Sequence, residues 1–275
     1  KRQVLLQTIS KVAAILFIPL VIFTFYLITK TDKSEQIVQE TSAKSFIKVH
    51  SPVGSVSQVD LPDGSRVWLN QNTTLIYRGT SFKESRNVCL EGEAYFEVKH
   101  DPDLPFVVSV DDLSIVARGT EFNVLAFPDM QRVETTLKEG KVLLYKKDNT
   151  GTYKEILEMF PNELAVYHKD KNKLEYDLVN TDKYTLWKDG LLIFENDPLH
   201  KVAERLGRFY NVDIIINDSI LSEYTYTATF EDETLYQVME LLKLATPVEY
   251  KVTSRKKLKD GTYSKRKVYM NYSGN

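Results

Sequence analysis

The sequence predicts an N-terminal transmembrane helix, an all-β sandwich or barrel domain, and a small C-terminal α+β domain with two β-α-β repeats. Three observations carry this: an uncharged apolar run near the start, short alternating runs punctuated by turns over residues 46–179, and a repeat after Trp187. With 275 residues, 43% hydrophobic and 27% charged, the chain has room for two ordinary domains and the composition to bury a core in each. A formal charge of -2 supplies no global field that would recruit nucleic acid.

The apolar run is "VAAILFIPLVIFTFYLI", residues 12–28. At about 1.5 Å per residue it nearly crosses a hydrocarbon core of about 30 Å, and Thr29 with the flanking Lys11 and Lys30 completes a span over 12–29. The competing reading, a cleaved signal peptide, needs a small-x-small site that "LITKTDKS" lacks. Lys1, Arg2 and Lys11 without acids on one side, against mixed Lys30, Asp32, Lys33 and Glu35 on the other, orient the amino end toward the cytosol. Residues 1–11 then read as a cytosolic remnant, with more cytosolic chain expected before them. Polar residues 30–45 read as a juxtamembrane linker.

The β domain is assigned to 46–180. In "SVSQVDLPDGSRVWLN", Pro62, Asp63 and Gly64 form the tight turn of a hairpin, with Val59 and Leu61 alternating before it and Val67 and Leu69 after it. "RNVCLEGEAYFEV", "FVVSV", "SIVARGTEFNVLAF", "RVETTLKEGKVLLYKK", "ELAVYHKD" and "KLEYDLV" follow as further strands, with no amphipathic helix between them. Within "ARGTEFNV", Gly119 and Thr120 stand where a strand prefers packing side chains, which suggests a bulge, a close-packing point, or a peptide bond set up for chemistry on itself.

The C-terminal domain is assigned to 181–275. "LLIF" is strand-like, Asp197 and Pro198 read as an N-cap with proline at the first helical position, and Leu199, Val202, Ala203 and Leu206 form one apolar helical face. "NVDIII" returns as a strand. The pattern recurs with Phe194 on Phe230, Leu199 on Leu235, Val202 on Val238 and Leu206 on Leu242, which predicts two helices on one sheet face and a last strand near "KVYMNY". In "YTYTATF", Tyr224, Tyr226 and Phe230 share a face and are candidates for binding a partner by strand addition; the same residues would also suit a core strand.

Few residues suggest catalysis. In "LEGEAYFEV", Glu91, Glu93, Tyr95 and Glu97 share a strand face, and carboxylates about 7 Å apart overlap an inverting glycosidase spacing. A solvated face is the simpler reading. "SRKKLKDGTYSKRK" is a basic turn that reads as a solvated hairpin loop. Cys89 is the only cysteine, and His50, His100, His168 and His200 share no ligand spacing, so no metal and no cofactor are expected. Nucleophile and phosphate-loop motifs are absent, so the chain is not expected to be an enzyme, self-cleavage aside.

"LPDGSRVWLNQNTTLIYRGTSF", "RNVCLEGEAYFEV", "PFVVSV" and "VARGTEFNVLAF" resemble the FecR family of membrane-anchored anti-sigma factors, in the branch common in Bacteroidetes. "WKDGLLIFENDPLHKVAERLGRFYNVDI" through "YTATFEDETLYQVMELL" resembles that branch's C-terminal domain. Arg78 stands where the family usually has proline, which touches only a local turn. The resemblance implies a jelly-roll-like β domain and a C-terminal module that binds the periplasmic signalling domain of a TonB-dependent outer-membrane transporter. It also implies an extracytoplasmic-function sigma factor held by a cytosolic segment, and an inner-membrane protein with its C-terminal domains in the periplasm. Several FecR-like proteins self-cleave at a Gly-Thr pair similar to Gly119–Thr120. An envelope carbohydrate-binding or glycan-processing protein is the alternative from another class, and a secretin-like component is a third.

Overall fold

In a computed structural model the structure describes residues 23–26, 46–79, 82, 84–259 and 261–274. Of the expected membrane span, only 23–26 fall among them, and these are helical; the rest of the span and the linker lie outside the described residues. Among the described residues no helix is long and apolar enough to cross a membrane. The described residues among 48–77 and 82–274 group into one compact unit, which holds the sandwich and the C-terminal domain.

Strands occupy the β domain throughout: β1 (Phe46–Ser51), β2 (Ser57–Asp60), β3 (Arg66–Leu69), β4 (Thr73–Arg78), β5 (Arg86–Glu97), β6 (Phe106–Val110) and β7 (Leu113–Ala117). They continue with β8 (Glu121–Ala126), β9 (Arg132–Glu139), β10 (Val142–Lys147), β11 (Tyr153–Met159), β12 (Glu163–His168) and β13 (Lys173–Leu178). The long strand β5 belongs to two sheets. Its first half pairs with β4 and, in parallel, with β6; its second half pairs with β3 and β8. The change falls at Gly92, whose φ of +123° and contact with Thr73 leave no room for a Cβ: one would lie 2.8 Å from Thr73 Cα.

After β5 the hairpins alternate between the sheets. β6–β7 and β10–β11 extend one, β8–β9 and β12–β13 the other. This is a β sandwich, and its path is plainer than the double Greek key of a jelly roll, so the implied likeness holds for the two packed layers and not for strand order. Alternating apolar residues from both layers meet in one core, where Phe96 stacks on Phe122 at 5.0 Å and tilts against Phe106 at 6.0 Å. Two expectations change. "SIVARGTEFNVLAF" is two strands broken at residues 118–120, and β11, an edge strand with mostly exposed residues, is an additional strand that alternation did not reveal.

A helical turn, Asp182–Thr185, and a 3-10 turn, Leu186–Asp189, lead into the second domain. There β14 (Leu191–Pro198), α1 (Leu199–Phe209) and β15 (Val212–Ile216) form the first repeat. β16 (Thr225–Glu231), α2 (Leu235–Ala245) and β17 (Val248–Val252) form the second, and β18 (Arg266–Tyr272) closes the domain. The repeat is expressed as pairing between equivalent strands: β14 lies antiparallel to β16, and Phe194 meets Phe230 at 6.0 Å. The expected single sheet is two, because β15 and β17 instead flank β18. Leu199, Val202, Ala203 and Leu206 are buried as their spacing requires. Asp197 is not the N-cap of α1. Pro198 takes that position, while Asp197 lies within β14, paired with Tyr226, and is bound by Lys183 at 2.6 Å and Arg205 at 3.7 Å.

Candidate functional site

Gly119 and Thr120 lie in the link between β7 and β8, where the chain passes from one sheet to the other. They are not in a strand interior. The antiparallel register Glu97↔Glu121 continues one step further, Val98 N–H donating to Thr120 O at 2.9 Å, so the segment after β5 runs beside the pair. Gly119 has φ +115°, and a Cβ there would lie 2.8 Å from His100 Cα and 2.6 Å from His100 Nδ1. On the other side Gly140, φ +89°, approaches so closely that its own Cβ would lie 2.8 Å from Gly119 O and 2.7 Å from Thr120 Cγ2. The Gly119–Thr120 peptide is therefore held between His100 and Gly140 by two residues that must lack side chains.

Thr120 is 4% exposed, and its Oγ1 is buried with no hydrogen-bond partner among the described residues. Leaving a hydroxyl in that state costs about 1–3 kcal/mol, a cost that core packing alone would remove by using valine. Beside it opens a cleft of about 330 Å³ lined by Arg66, Glu97, His100, Glu139 and the pair itself. A hydroxyl one bond sequence away from a carbonyl, dry, unpartnered and at the wall of a solvent cleft, is suited to attack on that carbonyl.

The candidate binding residues of β16 are placed differently from the expectation. Tyr226 and Phe230 are buried in the second core, with their rings stacked at 6.3 Å, and burial pushes the Tyr226 phenol up. Tyr224 is half-buried beside Tyr272, with ring centroids 6.4 Å apart, and the neighbouring phenol pushes its pKa up. These side chains hold the domain together and are not offered to a partner. What β16 presents outward is Thr225, Thr227 and Thr229, together with a strand edge that pairs with no other strand among the described residues.

The carboxylate-rich face of β5 is solvated only in part: Glu91 is exposed, whereas Glu93 and Tyr95 lie under the C-terminal domain. Trp187 Nε1–H donates to Asn123 Oδ1 at 3.1 Å, Asn123 Nδ2 donates to Glu93 Oε1 at 3.0 Å, and Asn70 Nδ2 donates to Glu93 Oε2 at 2.8 Å. Burial pushes the Glu93 carboxyl up, against the pull of Arg208 and of the two amides. Gln71 Nε2 donates to the carbonyls of Arg208 and Phe209 at the end of α1, and Arg132 binds Glu204 at 2.7 Å. Lys188 lies 5.3 Å over the Tyr95 ring and 5.4 Å over Trp68. Glu97 is paired with Arg66. Glu93 and Glu97 thus have structural partners, while Glu91 stays exposed. Neither His100 nor this interdomain network is visible in local motifs, since their partners lie 19 or more residues away.

Residues 47–143 match the FecR protein family and residues 191–258 match its C-terminal domain, FecR, C-terminal. The two matches together span more than half of the chain, which belongs to the FecR family. Two solved structures share its fold, both described as a candidate anti-sigma factor from Parabacteroides distasonis ATCC 8503, at 1.65 Å and 2.50 Å resolution. Each is 23% identical with a TM-score of 0.67; 83% and 84% of this chain and 100% of each of those chains are covered. No curated protein matches.

Proposed function

We propose that the chain is an anti-sigma factor that relays a signal from the periplasmic signalling domain of an outer-membrane TonB-dependent transporter to an extracytoplasmic-function sigma factor. The presence of both FecR domains in order carries this reading. In it, residues 12–29 anchor the chain in the bacterial inner membrane, the two folded domains lie in the periplasm, and the sigma factor is held on the cytosolic side. The transporter's domain docks by adding a strand to the open edge of β16, where exposed threonines flank unpaired backbone groups. The test is calorimetric titration of residues 46–275 with the signalling domain of the transporter encoded beside it. Saturable one-to-one binding supports the relay, and absence of binding up to millimolar concentration rejects this partner.

The unpartnered Thr120 hydroxyl favours a second event in the same chain, self-cleavage between Gly119 and Thr120. The expected products are two fragments held together by the sandwich, the second beginning at Thr120. Intact mass after denaturation reads this directly: Thr120→Ala should abolish the fragments and Thr120→Ser should retain them at a reduced rate. A chain that stays whole on prolonged incubation leaves Gly119 a packing residue.

A further inference from the structure

We propose that His100 is the proton carrier for the rearrangement at Gly119–Thr120; this rests on the self-cleavage reading above. His100 borders Gly119 so closely that a Cβ built on the glycine would lie 2.6 Å from Nδ1 and 2.8 Å from His100 Cα and Cβ. The imidazole makes no hydrogen bond to Thr120 Oγ1 in this structure and would reach it by a side-chain rotation or through one water of the cleft that both residues line. Its position is built from beneath. Arg86, 1% exposed, donates from Nε to Leu104 O at 2.7 Å, from Nη1 to Lys99 O at 2.8 Å and from Nη2 to Asp101 O at 3.3 Å, clamping the loop that carries His100. Arg86 is itself fixed by Asp63 at 3.2 Å, and Lys99 N–H donates to Ser65 Oγ at 3.0 Å. The buried guanidinium fixes three carbonyls of one surface loop, and it sets the residue between two of those carbonyls against Gly119.

The chemistry asks for such a group. As Thr120 Oγ bonds to the Gly119 carbonyl carbon, its proton passes to the His100 imidazole. The tetrahedral intermediate collapses by breaking the bond from Gly119 C to Thr120 N, and the imidazolium returns the proton to that nitrogen. The product is an ester with a free Thr120 amine. Water from the adjoining cleft then adds to the ester carbon, giving the Gly119 carboxylate and restoring the Thr120 hydroxyl. One water is consumed and nothing is oxidised or reduced.

The experiment uses the full chain in detergent micelles, following the fragment that begins at Thr120 by mass. His100→Gln keeps much of the shape without the base and should slow cleavage by about 10²-fold or more, the usual scale for a lost general base. His100→Ala should be slowed equally and partly restored by free imidazole, a response that a purely packing role would not give. If His100→Gln cleaves at the wild-type rate, or if imidazole leaves His100→Ala unchanged while its melting temperature is native-like, the assignment is overturned. Should His100→Gln melt early, the imidazole response of His100→Ala decides. A wild-type chain that never cleaves overturns the self-cleavage reading and this role with it, an outcome distinct from normal cleavage in the variants.

Discussion

Trp187 donates its indole N–H to Asn123 Oδ1 across a buried 3.1 Å contact that joins the start of the C-terminal domain to β8 of the sandwich. Indole nitrogen only donates, so Asn123 must turn its oxygen to Trp187 and its amide nitrogen to Glu93. Asn70 is fixed the same way, because its Oδ1 accepts from Gln71 N–H at 2.8 Å. Glu93 therefore faces two donors and must accept at both oxygens. Trp187→Phe removes one donor and leaves Asn123 Oδ1 buried without a partner, with an expected cost of about 1–3 kcal/mol. Urea unfolding of residues 46–275 measures it; a change below about 0.5 kcal/mol would show the contact to be incidental.

Glu93 sets a pH dependence. Burial raises its folded-state pKa above the ordinary value of 4.5, so between those two values the native state keeps a proton that the unfolded chain has lost. Stability from this residue is full below the ordinary value and falls as pH rises through the folded one. Glu93→Gln should lose that fall. It should also be less stable at low pH, because its new amide meets the fixed amide of Asn70 or Asn123, at about 1–3 kcal/mol. Parallel stability–pH curves for the two proteins would contradict the assignment.

Arg86→Met keeps length and apolar bulk but strands the carbonyls of Lys99, Asp101 and Leu104 and leaves the largely buried carboxylate of Asp63 without its cation, held by Ser65 alone. Breaking a buried charge pair in this way is expected to cost about 3–5 kcal/mol. Hydrogen exchange should rise first in residues 99–104. Protection unchanged there would mean that the loop holds itself.

If the proposed strand addition holds, binding and folding separate on β16. Tyr226→Ala removes a core ring, and unfolding should ease by about 3–5 kcal/mol, with any loss of transporter binding tracking the loss of fold. Thr229→Arg, on the exposed face, should leave the melting temperature within a few degrees and weaken binding severalfold. Native affinity in Thr229→Arg would move the docking surface elsewhere.

What could be read in the sequence was local. The Pro62–Gly64 hairpin, the α1 stripe and the Phe194/Phe230 repeat each depend on neighbours within one or two elements, and residue spacing reports such neighbours directly. The face of β5 misled for the opposite reason: alternation says which residues share a side, not what covers it, and Glu93 and Tyr95 are covered by a domain that begins about 90 residues later. Tyr226 and Phe230 looked like a binding stripe because an apolar stripe has the same spacing whether it meets a partner or its own core. His100 gave no signal at all. Its proximity to Gly119 comes from strand register past β5 and from the Arg86 clamp, both of them long-range.

The relay itself is tested most directly by transcription of the neighbouring transporter gene in cells exposed to its nutrient. Cells carrying the intact protein should induce that transcript, whereas cells whose chain ends at residue 180, without the C-terminal domain, should no longer respond to the nutrient. Equal induction in the two strains would contradict the account.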